Sequence, residues 1–276
     1  MSKPIISLTS LQNDQVKAMA ALLEKKHRDR TGQFIIEGVH LVQEAIQAGA
    51  DVRTIVYDGE RGIPVELAQL LQEMDCELIE ATKGIMAKCS GTDTPPPIFG
   101  IVAKMPYEEE ALYKENSLVV VLDGVRDPGN VGTIIRSADA VGADAVVLGS
   151  GSVDLYNPKT VRSTMGSLFH LPIIEGNLEE LLPEAKKRGI RLVGTSLQAS
   201  ATCYGYDWSG PTWLLLGNES NGLSTETLEL VDENVIIPMQ GKSESLNVAM
   251  AGTVLLYESL RQRKFNETII PVPQPK

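Results

Sequence analysis

Sulfur ligands, imidazoles and long apolar runs are all scarce in this chain. It has three cysteines in 276 residues, Cys76, Cys89 and Cys203, scattered and odd in number. That argues against a disulfide framework and for a reducing compartment, so a cytoplasmic location is expected. The three histidines, His27, His40 and His170, are equally dispersed, and no Cys/His cluster has zinc-ligand spacing, so no metal is expected. No window of about 18 apolar residues exists, and no membrane span is expected. Residues 1–21 lack a continuous apolar stretch, so no signal peptide is expected. Neither G-x-G-x-x-G nor G-x-x-x-x-G-K-[ST] occurs, which removes the dinucleotide and NTPase readings. No G-x-S-x-G elbow occurs either, which counts against a serine hydrolase.

Positive charge is also in deficit. Lys and Arg number 25 against 36 acidic residues, for a net charge of −11. Taken alone, this points away from nucleic acid, which needs a basic footprint. One run departs from the trend: Lys25, Lys26, His27, Arg28 and Arg30. It reads either as a solvated helix face or as a local phosphate-binding patch.

Apolar residues make up 43% of the chain, enough for a real core, and the length suits two domains. The pattern predicts helices at 9–28, 39–47, 64–74 and 83–89, with strands at 33–36, 52–57, 77–79 and 99–103. This is a small α/β domain over 1–104. Residues 105–116, with Glu108-Glu109-Glu110, read as a linker. From 117 to 276 strands and helices alternate, which predicts an α/β domain with a parallel sheet covered on both faces. Its strands are expected at 118–122, 145–148, 191–194, 213–216 and 235–238. Its helices are expected near 131–141, 158–168, 177–188, 224–231 and 245–262.

Three strand-to-loop exits in that half carry Gly with polar side chains, where open α/β sheets hold ligands. The first is Asp127-Pro128-Gly129-Asn130, followed by a helix carrying Arg136. Asn130 reads as a helix N-cap, and Arg136 as a surface residue able to pair with Asp139. The second runs from Gly217 through Asn218 and Glu219 to Gly222. Gly217 would let the backbone approach a ligand, while Glu219 could merely stabilise the next helix. The third, residues 236–249, passes Pro238, Gly241, Glu244 and Ser245 into the last helix. Glu244 or Ser245 could cap that helix, and freed backbone groups could grip an adenine-like edge.

The segments DPGNVGTIIRSADAVGADAVVL, LLLGNESNGLS and IIPMQGKSESLNVAMAGTVLLYE resemble, in order and spacing, the three motifs of the SpoU (TrmH) branch of the SPOUT RNA methyltransferases. Residues 157–173 resemble the segment between the first two motifs. GQFIIEGVHLVQEAI, at 32–46, resembles the substrate-binding domain of the rRNA-modifying members, which is like a small ribosomal protein. The resemblance implies transfer of a methyl group from S-adenosylmethionine to an RNA ribose 2′-hydroxyl. It also implies a carboxyl-terminal trefoil knot and a homodimer with the active site at its interface. By residue, it implies catalytic positions at Asn130, Arg136, Glu219, Ser245 and Asn247. Cofactor positions are implied at Thr195, Gly217, Ile237, Met239, Ser245 and Leu246. Ser220 departs from the glycine many members carry there. Ribosomal RNA is the expected substrate, with tRNA methylation or non-catalytic RNA binding as alternatives.

Overall fold

The computed structural model describes residues 4–92 and 94–265, which fall into two compact units. The first comprises residues 1–106 together with 154–170. Its strands are β1 (Ile5–Leu8), β2 (Gln33–Glu37), β3 (Val52–Asp58), β4 (Glu77–Ala81) and β5 (Ile98–Ala103). They form a mixed sheet in the order β1-β4-β3-β5-β2, antiparallel only where β5 meets β3 and β2. Helices α1 (Asp14–Ala21), α2 (Lys25–Thr31), α3 (Val39–Gln47), α4 (Val65–Glu73) and α5 (Lys83–Cys89) connect them. The expected helix at 9–28 is therefore two shorter ones. β1 escapes sequence reading because Ile5 and Ile6 are exposed, leaving no alternation to detect.

The division expected from sequence keeps every residue after 116 in one domain. Residues 154–170 instead pack within the first unit. Helix α6 (Pro158–Thr164) of this segment carries Arg162, whose guanidinium pairs with the buried carboxylate of Glu37. The ring of Tyr156 lies 4.6 Å from that of Phe34, itself fully buried. Arg28 is only 2% exposed; its guanidinium donates to the carbonyls of Leu22 and Leu23 and pairs with Asp154. The basic run is thus neither a uniform solvated face nor a free patch, since its central arginine is internal.

The second unit comprises residues 107–153 and 171–276, and its described residues hold seven strands, β6 (Leu118–Asp123), β7 (Ala145–Leu148), β8 (Ile173–Glu175), β9 (Arg191–Thr195), β10 (Ala201–Thr202), β11 (Thr212–Gly217) and β12 (Glu233–Ile236). They run parallel throughout, in the order β10-β12-β9-β11-β6-β7-β8.

 

The central strands Leu118–Asp123, Ala145–Leu148 and Thr212–Gly217 are buried at every position, as a parallel sheet covered on both faces requires, while the outer strands are partly exposed. The core gathers Val119, Val121, Val147, Leu192, Trp213 and Leu215. The strands Ile173–Glu175 and Ala201–Thr202 have three and two residues, too few for a periodicity to show. Because every strand points the same way, the turns after Asp123, Thr195, Gly217 and Ile236 all leave from one edge of the sheet.

Two helix starts differ from expectation. In the helix Pro128–Ala140 the N-cap is Asp127, whose side chain accepts from the Asn130 backbone N–H at 2.9 Å. Pro128 takes the first helical position, where its fixed φ and missing N–H cost nothing, so the cap falls one residue before it. The Asn130 side chain is therefore not used as a cap and reaches Glu219 and Asn247 instead. In the helix Val248–Lys264 the cap is Asn247, accepting from Ala249 and Met250, and neither Glu244 nor Ser245 fills that place. This last helix lies along the first: the Ser137 and Thr253 hydroxyls are 2.7 Å apart.

Asp154→Ala is expected to leave the Arg28 charge buried without its partner and to cost about 3–5 kcal/mol. Lys25→Ala, which removes an exposed ammonium 3.8 Å from the same carboxylate, should change stability by less than about 1 kcal/mol. Urea denaturation of the two variants measures the contrast.

Candidate functional site

The three polar exits from the parallel sheet meet in one hydrogen-bonded chain. Glu219 Oε1 accepts from Asn130 Nδ2 at 2.9 Å and from the Asp127 N–H at 3.2 Å. Its Oε2 accepts from the Arg126 N–H at 3.3 Å and from Asn218 Nδ2 at 3.4 Å. Asn130 Oδ1 in turn accepts from Asn247 Nδ2 at 3.0 Å. The amide orientations are dictated from both ends. Backbone N–H groups of the last helix require the oxygen of Asn247, so its nitrogen must donate. The carboxylate can only accept, so Asn130 must turn its nitrogen toward Glu219.

Partial burial by itself would raise the Glu219 carboxyl. The donors from Asn130, Asp127 and Arg126 outweigh that and hold it below the ordinary glutamate range. Glu219 therefore stands as an ionised clamp, with both oxygens engaged, and does not serve the next helix; Ser224 caps that one.

Beside this chain opens a cavity of about 520 Å³. Thr195, Gly217, Ile237, Met239, Ser245 and Leu246, the six cofactor positions expected from sequence, all lie on its wall. Glu219 and Asn247 line it as well, and Leu216, Val248 and Leu255 supply an apolar floor. The backbone N–H groups of Ile237, Met239 and Leu246 have no hydrogen-bond partner among the described residues. They offer donors to a ligand edge, which is the usual way such pockets fix orientation. Ser245 presents a hydroxyl that likewise has no partner among the described residues.

Gly217 is required for a reason closer to home than a ligand. A Cβ there would lie 2.1 Å from the Gly222 carbonyl carbon, because residues 218–222 fold back in a turn closed by Asn218 and Gly222. Asn218, not singled out from sequence, holds that turn: its Oδ1 accepts from Ser220 and Asn221, and its Nδ2 reaches the Gly124 carbonyl at 2.8 Å. The signal was an Asx residue opening a Gly-closed turn. Arg136 stands apart. It lies on the solvent face of the first helix, six residues or about 9 Å beyond Asn130, and is not on the cavity wall.

A parallel α/β sheet with a cavity at its carboxyl edge and unpaired backbone donors defines a domain that holds a nucleotide-like ligand. The family model described as the SpoU rRNA Methylase family matches residues 117–257, and that of the MRM3-like substrate binding domain matches residues 13–100. The chain belongs to the SpoU rRNA methylase family. It is 40% identical over 250 residues to the 23S rRNA (guanosine(2553)-2′-O)-methyltransferase RlmP of Bacillus subtilis (strain 168), covering 91% of this chain and 97% of that one. It is 36% identical to the 23S rRNA (uridine(2479)-2′-O)-methyltransferase of Streptomyces viridochromogenes, covering 91% of each. Among solved structures, the SpoU methyltransferase AviRb from Streptomyces viridochromogenes in complex with AdoMet superposes with a TM-score of 0.85 at 35% identity, over 91% of this chain and 98% of that one. An AdoMet-bound rRNA methyltransferase from Sinorhizobium meliloti gives 0.81 at 35% identity, over 93% and 98%.

The lowered Glu219 pKa has a sign. Its stabilising contribution is complete above the unfolded value of about 4.5 and is lost as the pH falls through the folded value. The gap in denaturation midpoint between the wild type and Glu219→Gln is therefore expected to be wide at neutral pH and to shrink as the pH falls below the unfolded value of about 4.5.

Proposed function

We infer that the protein transfers a methyl group from S-adenosylmethionine to a ribose 2′-hydroxyl of 23S-type ribosomal RNA. The observation that carries this is the convergence of three loops, distant in sequence, on one cavity with a fixed polar chain at its rim. Relatives that act on 23S rRNA match the chain across both units, which supports ribosomal RNA over tRNA.

The cavity fits the cofactor in two respects. Its volume suits a small nucleoside derivative, and its unpaired backbone groups suit a purine edge. Ile237, Met239 and Leu246 would hold the base through those groups, with Thr195, Gly217 and Ser245 along the rest of the wall. When bound, S-adenosylmethionine supplies an electrophilic methyl group. Asn130, held by Glu219 on one side and Asn247 on the other, orients the ribose. Each of its two amide atoms keeps hydrogen-bonding capacity for substrate. Ser245 contributes a hydroxyl to the same task. Arg136 stabilises the charge that develops on the attacking oxygen, an effect often worth several kcal/mol. A guanidinium gives up its proton too reluctantly for a simple general base.

Arg136 lies off the cavity wall of its own chain, which supports a homodimer in which each subunit completes the other's site. Met250 and Tyr257, both at least half exposed on the last helix, supply apolar surface for such a contact. The carboxyl-terminal trefoil knot is part of the same reading. It is supported by the path of residues 237–247, which carry the chain from the strand Glu233–Ile236 back to a helix that packs on the strand Thr212–Gly217.

Arg136→Ala is expected to keep cofactor affinity by calorimetry and to lose at least about a hundredfold in tritium transfer to 23S rRNA. Mixing Arg136→Ala with Asn130→Ala subunits should restore part of the activity, because one hybrid site then has both residues. Near-normal turnover of Arg136→Ala would overturn its role, and failure of the mixture to recover activity would overturn the shared site.

A further inference from the structure

Arginines in this acidic protein are nearly all spoken for. Arg28, Arg162, Arg188, Arg191 and Arg261 pair with carboxylates, and Arg263 is bound to backbone carbonyls. Only two arginine side chains have no hydrogen-bond or ion-pair partner among the described residues: Arg126 and Arg136. Both are exposed; Arg136 lies in the first motif and Arg126 directly precedes it. Arg136 already has a role in the proposed reaction. Arg126 has none.

Its position is fixed from the backbone. The Arg126 N–H is bonded to Glu219 Oε2, so the residue is anchored to the same carboxylate that orients Asn130. The neighbouring acids are committed elsewhere. Asp127 turns its carboxylate to the Asn130 backbone N–H, and Glu219 has both oxygens filled by amide donors. The Arg126 guanidinium thus stands at the rim of the site with its charge uncompensated.

A ribose 2′-hydroxyl sits on the carbon next to the one that bears the 3′-phosphodiester. Any ribose presented to Asn130 and Ser245 brings that phosphate to the rim with it. We propose that Arg126 binds a backbone phosphate of the RNA strand beside the ribose to be methylated. This rests on the methyltransferase reading above and assigns a second guanidinium a task separate from that of Arg136. A guanidinium grips a phosphate through two parallel N–H donors, so it would position the sugar as well as attract the strand. The contact would be blind to base identity and would set register.

The test uses the full-length protein, an unmodified 23S rRNA transcript and labelled cofactor. Arg126→Gln is expected to weaken RNA binding about five- to tenfold at moderate salt and to raise KM for RNA correspondingly. Its plot of log affinity against log salt should be shallower by about 0.7 to 0.9. Cofactor affinity and melting temperature should match the wild type. Arg126→Lys should recover the salt slope but only part of the KM, since it keeps the charge and loses the paired donors. A wild-type KM and salt slope in Arg126→Gln would overturn the proposal, as would a loss of cofactor affinity, which would mark a structural role. A wild-type protein that transfers no label to the transcript would overturn the methyltransferase reading itself, a result distinct from either of those.

Discussion

The carboxylate of Glu219 is the point on which the second unit's loops close. It accepts from the backbone before the first helix, from the amide of Asn130 and from its own loop through Asn218. Through Asn130 and Asn247 the chain of bonds runs on to the N-terminus of the last helix. Such a network is valuable only when complete, because each unsatisfied polar group in a partly buried place costs about 1–3 kcal/mol. Here both ends are pinned by groups that cannot reverse their polarity, a carboxylate and two helix N–H groups. The amides between them therefore have one arrangement, and the remaining hydrogen-bonding capacity of Asn130 is aimed before anything binds.

This arrangement explains why the site needs an acidic residue and yet suits an anionic substrate. Glu219 spends its charge on internal donors, so little of it is available to repel a phosphate. Among the arginines of the described residues, Arg126 and Arg136 are the two left without a partner. A net charge of −11 is a statement about the whole surface, whereas the encounter with RNA is governed within about a Debye length of 8–10 Å at ordinary salt. Exposed guanidinium groups without a partner among the described residues matter more at that range than acids distributed elsewhere. The argument from total charge against nucleic acid fails for this reason.

Much of the second unit was legible because its strands are short apolar runs ended by Gly and polar residues. Strands at 118–122, 145–148 and 213–216 appear within a residue of expectation. The cap of the first helix was misread because Asp127 and Asn130 are both good capping residues, and only Pro128 between them decides the matter. Gly217 was legible as a close-approach glycine, but the approaching atoms belong to Gly222 and Leu223. The membership of residues 154–170 in the first unit could not be read at all. It depends on Asp154 meeting Arg28, and on Tyr156 and Arg162 meeting Phe34 and Glu37, pairs separated by more than 100 positions. No periodicity records such pairs.

The placement of Arg136 follows from the same helix that makes the site. Asn130 occupies the first turn, where its side chain can reach Glu219 and Asn247, while Arg136 comes six residues later, about 240° further round at 100° per residue. One rigid helix cannot turn both residues to one cavity. Either Arg136 serves no site, or it serves one formed by another copy of the chain. The neighbouring side chains favour the second. Val131, Ile134, Ile135 and Ala138 are fully buried, so the helix is fixed against its own unit and leaves Arg136 facing outward with no partner among the described residues to neutralise it. An outward, uncompensated guanidinium six residues from an assembled polar site is what a reciprocal pair of sites would require of each subunit. The geometry of a single α-helix, more than any contact, is thus what ties the proposed chemistry to assembly.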